Sequence, residues 1–200
     1  MKRLFLICAI MAFFTGTVFG SGPTVTYNFI QGLNAADLGN NEEALKYFSA
    51  EIEKHPGNGF AYAWRGKVNE TLGNDTDAMA DANRAVAKIP KKEKTYRAFA
   101  HNLRGRLFLK SGNASHAADE FSTATTLLPE VGESYALRAE ALIAMNDYEG
   151  AINDLITAIG KGYVDTVPRA MRLLVGSAGN EKLETIPAYK TLLESLAGQN

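Results

Sequence analysis

Three sets of residues recur along the chain on one set of intervals. Gly32, Gly66, Gly105 and Ala139 are separated by 34, 39 and 34 residues, and Ala44, Ala78, Ala117 and Ala151 by the same distances. Gly39, Gly73, Gly112 and Asn146 follow suit, and the first two intervals return at Pro56, Pro90 and Pro129. Independent columns sharing one spacing define an internal repeat, and a repeat restricts the fold to an array of similar units packed on their neighbours. The long interval is a 34-residue unit plus five, and the surplus falls on the charged stretch Lys91 to Thr95, near 91–97. Between units and at a surface turn, such an insertion adds little closure entropy. The region 21–163 thus divides into four units, at about 25–58, 59–92, 98–131 and 132–165, with a less regular stretch at 166–200.

Within a unit the apolar pattern is helical. Ile30, Leu33 and Leu38 run at helix spacing, Gly39, Asn40 and Asn41 interrupt, and Ala44, Leu45, Phe48 and Ile52 resume until Pro56, which cannot continue a helix. Each unit reads as a helical hairpin, and the fold class as all-α. Glycine at 32, 66 and 105 removes the side chain where two helices cross, and the alanines at 44, 78, 117 and 151 do the same from the second helix. The expectation is close backbone approach, with Phe48, Phe121 and Leu155 filling the flanks. The segment "WRGKVNETLGND" invites a phosphate-loop reading, but six residues intervene between Gly59 and Gly66, and Val68 follows Lys67 where a hydroxyl would be needed. Gly66 is a packing residue, and Gly73 with Asn74 makes a turn. Beyond the units, "VPRAMRLLVGSAGN" reads as another first helix with Pro168 near its start. "EKLETIPAYKTLLESLAGQN" reads as a final amphipathic helix that Pro187 kinks or begins. Lacking the small crossing residues, this region is a degenerate fifth unit or a cap over the last hairpin's apolar face.

The units resemble tetratricopeptide repeats, and "AYAWRGKVNETLGNDTDAMADANRAVAKIP", residues 61–90, carries that family's pattern most fully. The resemblance implies a right-handed superhelix of antiparallel helix pairs whose concave groove is lined by the first helix of each unit. Carried onto this chain, the groove column takes in Phe29 and Leu33, then Phe60, Ala63, Lys67 and Glu70. It continues with Phe99, Asn102, Arg106 and Lys110, and ends with Glu133, Ala136 and Glu140. Phe60 and Phe99 are the apolar anchor candidates, and Lys67, Asn102, Arg106 and Lys110 the groups to orient a peptide carboxylate or acidic side chains. Packing between units is the alternative for the two phenylalanines. Family members that grip a chaperone's C-terminal carboxylate use Lys and Asn in the first unit, where this chain has Phe29 and Leu33, which argues against that partner.

A charge pattern accompanies the columns. Before the crossing residue stand Gln31, Arg65, Arg104 and Arg138, and after the crossing alanine Tyr47, Asp81, Glu120 and Asp154. Arginine in one column goes with carboxylate in the other, which points to structural ion pairs between helices. The pairing runs within a unit, as Arg65 with Asp81, or steps onward, as Asp81 with Arg104 and Asp154 with Arg172.

The first twenty residues supply a function-relevant address. Lys2 and Arg3, an apolar run from Leu4 to Phe14 and a small-residue exit form the three-part pattern of a secretory signal peptide, with cleavage expected after Gly20. An uncleaved membrane anchor is the lesser reading, since the run is short for a spanning helix. Cleavage removes Cys8, the only cysteine, so the exported chain, periplasmic or secreted, relies on burial rather than disulfides. It also removes Lys2 and Arg3, leaving 19 basic against 22 acidic residues, a balance that does not favour nucleic acid. His55, His101 and His116 are not spaced as metal ligands, and no nucleophile elbow or Gly-rich phosphate loop is present, so neither a cofactor nor an enzyme is expected. His101 shares a column with Tyr62 and Tyr135, which makes it a packing or groove residue rather than a catalytic base. The reading is a non-catalytic scaffold that holds a peptide or partner protein; the alternative is a self-associating structural component of an envelope or secreted complex, a homo-oligomer.

Overall fold

The computed structural model describes residues 26–198. Helix α1 (Tyr27–Asp37) pairs with α2 (Asn41–Lys54), α3 (Gly59–Leu72) with α4 (Asp75–Lys88), α5 (Lys94–Lys110) with α6 (Ala114–Leu127), and α7 (Gly132–Ala144) with α8 (Tyr148–Gly160). The chain ends in α9 (Val167–Ala178), α10 (Asn180–Glu184) and α11 (Pro187–Ala197). No strand occurs among the described residues. Each hairpin turns at a left-handed residue, Gly39, Gly73 and Gly112 with φ of 77°, 80° and 81°, and Asn146 with φ of 62°. Asparagine is the residue after glycine that tolerates this region best, which is why it can occupy the fourth place in the column. Each second helix packs on the first helix of the next unit, and α3, α5 and α7 also touch in sequence.

The small-residue columns work differently in alternate units. A Cβ added at Gly32 would lie 2.6 Å from Phe48 Cε1, and one at Gly105 2.5 Å from Phe121 Cε1. In units one and three, therefore, the missing side chain makes room for a buried phenyl ring rather than for a helix backbone. Unit two has Ala82 where those rings stand, and there the expected close approach is found: a Cβ on Gly66 would sit 3.1 Å from Asp81 Cβ and 3.3 Å from the Ala78 carbonyl. A second alternation concerns the helix starts. Gly59 opens α3 with its Cα against the Ile89 backbone, and Gly132, 73 residues later, opens α7 against Ala158 and Tyr163. These features recur over a two-unit module of 73 residues, although unit four, with Ala139 and Leu155 at the crossing, departs from unit two.

The five-residue surplus falls at the joint between modules, and its last two residues belong to α5, which is longer than the other first helices. Arg97 fixes that extra turn by donating to the carbonyls of Ile89 and Val86 at the end of α4, at 3.3 and 3.5 Å. At the C-terminus the expected single final helix is divided, because Pro187 lacks the N–H to continue α10 and restrains Ile186 before it. Helix α9 lies beside α7, and α11 covers α8 with Leu192 fully buried.

Candidate functional site

The arginines clamp three helices each. Arg65 donates from Nε and Nη2 to the two carboxylate oxygens of Asp81, both at 2.8 Å. Arg138 holds Asp154 in the same bidentate way at 2.7 Å. The pairs lie within a unit; Arg172, the partner a stepped scheme would require for Asp154, makes no ion pair in the described chain. The third guanidinium nitrogen reaches back to the preceding second helix: Arg65 Nη1 to Ser49 Oγ, Arg104 Nη1 to Asn83 Oδ1 and Arg138 Nη1 to Ser122 Oγ, each at 3.2 Å. Ser49, Asn83 and Ser122 share the repeat interval, a column that sequence reasoning could have found and missed. Units two and four place a tyrosine ring, Tyr62 or Tyr135, beneath the guanidinium. Unit three substitutes both partners together. Glu120, one methylene longer than Asp, splits its oxygens between Arg104 Nη2 at 2.7 Å and His101 Nδ1 at 2.8 Å. His101 is buried, and its Nε2 has no protein partner.

Another buried carboxylate went unnoticed in the sequence. Glu51 is fully buried in a column otherwise occupied by Ala85, Ala124 and Ala158. It accepts from the Thr26 hydroxyl and, at 2.8 Å, from Asn58 Nδ2. Thr26 and Asn58 are the N-caps of α1 and α3, so one side chain orients two helix starts. A charge standing alone in an alanine column was the available signal.

The first-helix face places the candidate groove residues as follows. Phe60 is buried, edge-to-face with Tyr96 at 4.5 Å between ring centroids, and is not open to a partner. Phe99 packs against Trp64 of the preceding unit, the ring centroids 5.1 Å apart and the planes tilted by 37°, and both rings remain partly exposed. Asn102 is buried and donates to Ser134 Oγ at 3.0 Å, which removes it from the surface. The cations expected to be free are already neutralised. Glu70 accepts from Arg106 Nε and Nη2 at 2.8 and 3.0 Å and from Lys67 Nζ at 2.8 Å. Arg106 Nη1 lies 4.0 Å from Glu133, and Lys110 pairs with Asp75 at 2.7 Å. Glu140 is buried between α7 and α9, 3.2 Å from Arg169, with its other oxygen unpartnered.

The electrostatics follow the partners. Burial pushes the Glu70 carboxyl upward, but the hydrogen bonds and charges of Arg106 and Lys67 outweigh it and hold the group below its ordinary range. Glu120 is held down in the same way by His101 and Arg104 against its own desolvation. The Asp81 and Asp154 hydrogen bonds raise Arg65 and Arg138 despite desolvation. Glu140 goes the other way: burial raises it, and Arg169 opposes only in part.

These units define a solenoid of antiparallel helix pairs, and comparison with known proteins gives it a family. A tetratricopeptide repeat model matches residues 31–93 and 102–161, so the chain belongs to the tetratricopeptide repeat family. Among curated proteins, it is similar to the Protein SGT1 homolog of Oryza sativa subsp. japonica, 34% identical over 95 residues, or 48% of this chain. The match spans only 22% of that protein's length. A solved MamA structure superposes with a TM-score of 0.66 at 17% identity, covering 86% of this chain and 91% of that one. The 41-end fragment of MamA from Desulfovibrio magneticus RS-1 gives 0.67 at 15% identity, with 90% and 99% coverage. A tetratricopeptide repeat protein from Parabacteroides merdae gives 0.60 at 18%, with 85% and 66% coverage. The array is therefore a right-handed tetratricopeptide repeat superhelix with a C-terminal cap. Arrays of this fold serve in general as scaffolds for protein–protein interaction and are generally non-catalytic.

Proposed function

We propose that this protein is an exported scaffold that holds a segment of a partner protein against the first-helix face of units two to four. The observation that carries this reading is the rigid strip running across that face, in which the partly exposed Trp64 and Phe99 rings lie beside the chain of Lys67, Glu70, Arg106 and Glu133. Every polar group in the strip is held by another, so the surface is set before a partner arrives and little ordering entropy is lost on binding. The rings offer apolar contact and the alternating charges offer registration, suiting a peptide with mixed charge around an apolar residue. A carboxylate of the partner would share Arg106 and Lys67 with Glu70 rather than meet free cations, which corrects the simpler picture of an anion-binding groove. Export rests on the leader pattern in residues 1–20, which lies outside the described residues, and N-terminal sequencing of the exported product tests cleavage after Gly20.

Photo-crosslinking in the native compartment tests the surface. A benzophenone side chain replacing Phe99 or Lys110 is expected to capture the same partner. At Asp119, on the exposed side of a second helix, it should capture none. Equal capture from Asp119 would remove the first-helix face from the mechanism.

A further inference from the structure

The hairpins stack with their turns on one edge of the array and their unit-to-unit joints on the other, and contacts trace the joint edge. Thr26, before α1, and Asn58, before α3, meet on Glu51 in the last turn of α2. Gly59 abuts the backbone of Lys88 and Ile89 at the end of α4, and Phe60 packs on Tyr96 at the start of α5. Along this part of the edge Lys54, Lys88, Lys91, Lys92 and Lys94 stand exposed, accompanied by Glu53 and Glu93. None of the five is neutralised: the lysine ion pairs of the described residues belong to Lys67, Lys110 and Lys190. Further along, Glu130 and Asp165 accompany Lys161, so the basic stretch is confined to the first two joints. The turn edge has the opposite sign. Glu42 and Glu43, Asp77, Asp119, and Asp147 with Glu149 are exposed at or near the starts of α2, α4, α6 and α8, and Lys110 there is paired with Asp75.

We propose that this basic stretch of the joint edge lies on a membrane surface of anionic phospholipid headgroups. The whole chain has a formal net charge of −1, so the positive charge is a matter of placement. Helix dipoles explain part of it, since Lys54 and Lys88 end α2 and α4, where cations are favoured. They do not explain the insertion. Lys91, Lys92 and Lys94 gather at the N-terminal end of α5, which has no acidic residue in its first turn, and there cations oppose the dipole. The joints of ordinary length, 55–58 and 128–131, contain no lysine. Three lysines set where they weaken a helix, unpaired and facing solvent, are placed for something outside the molecule.

The chemistry of the stretch suits a diffuse negative plane rather than a single ligand. Its arginine, Arg97, is turned inward onto the carbonyls of Ile89 and Val86, and its tyrosine, Tyr96, packs on Phe60. That leaves neither a guanidinium fork for one phosphate nor a free ring on which a base could stack. The acidic turn edge is repelled by the same plane, which fixes the joint edge as the one laid down. Chain direction agrees, because residues before Thr26 join the array at this edge. The apolar run from Leu4 to Phe14, while held in a membrane, brings these lysines onto the adjoining lipid, and one apolar segment with one basic patch makes the two signals that stable attachment takes. The first-helix strip of units two to four lies away from this edge, so the surface is independent of the partner-binding reading.

Flotation with vesicles of equal parts phosphatidylcholine and phosphatidylglycerol, against phosphatidylcholine alone, tests the surface on the full chain and on the chain beginning at Ser21. At low salt both chains should float with the anionic vesicles, and the shorter chain should stay behind with the neutral ones and be released by added salt. In the shorter chain, Lys91→Gln/Lys92→Gln should lower partitioning about 30-fold. Lys182→Gln/Lys190→Gln, the same charge change on the cap, should leave it nearly unchanged. A dye on Thr95→Cys of the shorter chain, which otherwise lacks thiols, should be quenched by spin-labelled headgroups, and a dye on Asp119→Cys should not. Flotation of the full chain alone would overturn the inference, by assigning all attachment to the leader. Equal losses from the two double variants, or equal quenching at the two cysteines, would also overturn it. So would binding of a DNA duplex as tight as that of the vesicles and equally dependent on Lys91 and Lys92.

Discussion

Replacing Gly105 by alanine isolates what the glycine column does. Alanine is favoured over glycine inside a helix by about 1 kcal/mol, so with open space around it the substitution would stabilise α5. The added Cβ would instead lie 2.5 Å from Phe121 Cε1 and 2.8 Å from Cζ, distances no carbon pair sustains. Phe121 is fully buried among Ala117, Leu137 and Ala141, so its ring cannot swing out. Overpacking of this kind costs about 1–3 kcal/mol, and with a ring pinned on all sides the net loss should be about 2 kcal/mol even after the helix-propensity gain. Gly66→Ala is the internal control: its closest contacts, Asp81 Cβ and Leu103 Cδ2, are at 3.1 Å, and a shift of a few tenths of an ångström leaves the balance near zero. Phe121→Leu in the Gly105→Ala background should recover part of the loss and show a coupling of about 1 kcal/mol or more. Urea unfolding followed by circular dichroism measures the unsubstituted chain, the single variants Gly105→Ala, Gly66→Ala and Phe121→Leu, and the Gly105→Ala/Phe121→Leu double variant. Equal stability of the two alanine variants, or additivity of the Phe121 and Gly105 changes, would refute the ring-accommodation argument.

Asp81→Asn should destabilise by about 3 kcal/mol, because it leaves the mostly buried Arg65 without its carboxylate, and a double-mutant cycle should show coupling of Asp81 to Arg65 but not to Arg104. Ser49→Ala, which removes only the neutral third partner of Arg65, should cost about 1 kcal/mol by the same unfolding assay. Glu120 and Glu140 should respond to acid with opposite signs. Glu120 has a depressed folded pKa, so its contribution is present above the ordinary value of 4.5 and fades as pH falls through the lower folded value; Glu120→Gln is destabilising at pH 7, and the gap closes in acid. Glu140 has a raised folded pKa, so its contribution is present below 4.5 and lost as pH rises; Glu140→Gln is stabilising at pH 7 with no advantage in acid, as melting temperatures across pH would show. Glu51→Ala should increase hydrogen exchange at the starts of α1 and α3 together, since both N-caps lose their anchor.

What the sequence revealed and what it hid divide along a physical line. Turn residues and crossing residues are fixed by local sterics, so Gly39, Gly73 and Gly112, and the alanines from Ala44 to Ala151, announce the hairpins without any knowledge of their neighbours. The two-unit alternation was legible as well, in Ala82 standing between Phe48 and Phe121, but only once the columns were compared in pairs. Pairing of Arg65 with Asp81 rather than of Asp81 with Arg104 depends on how far one unit rotates against the next, and no column encodes that angle. The same geometry decided the candidate surface. Phe60 and Asn102 sit in the inner-face column, yet Tyr96 and Ser134 of the following units close over them. Lys67 and Arg106 looked free because Glu70, in the same column, was read as a further groove residue rather than as their shared counterion.

That shared counterion has a kinetic consequence. A face whose cations are cancelled within the molecule projects almost no field into solvent, so it cannot draw a charged partner from a distance. Encounter would proceed at the unsteered pace of roughly a million per molar per second, and added salt would scarcely slow it. Discrimination would then fall to how long a partner stays, which suits a holder whose clients remain in place more than a relay that must pass them on.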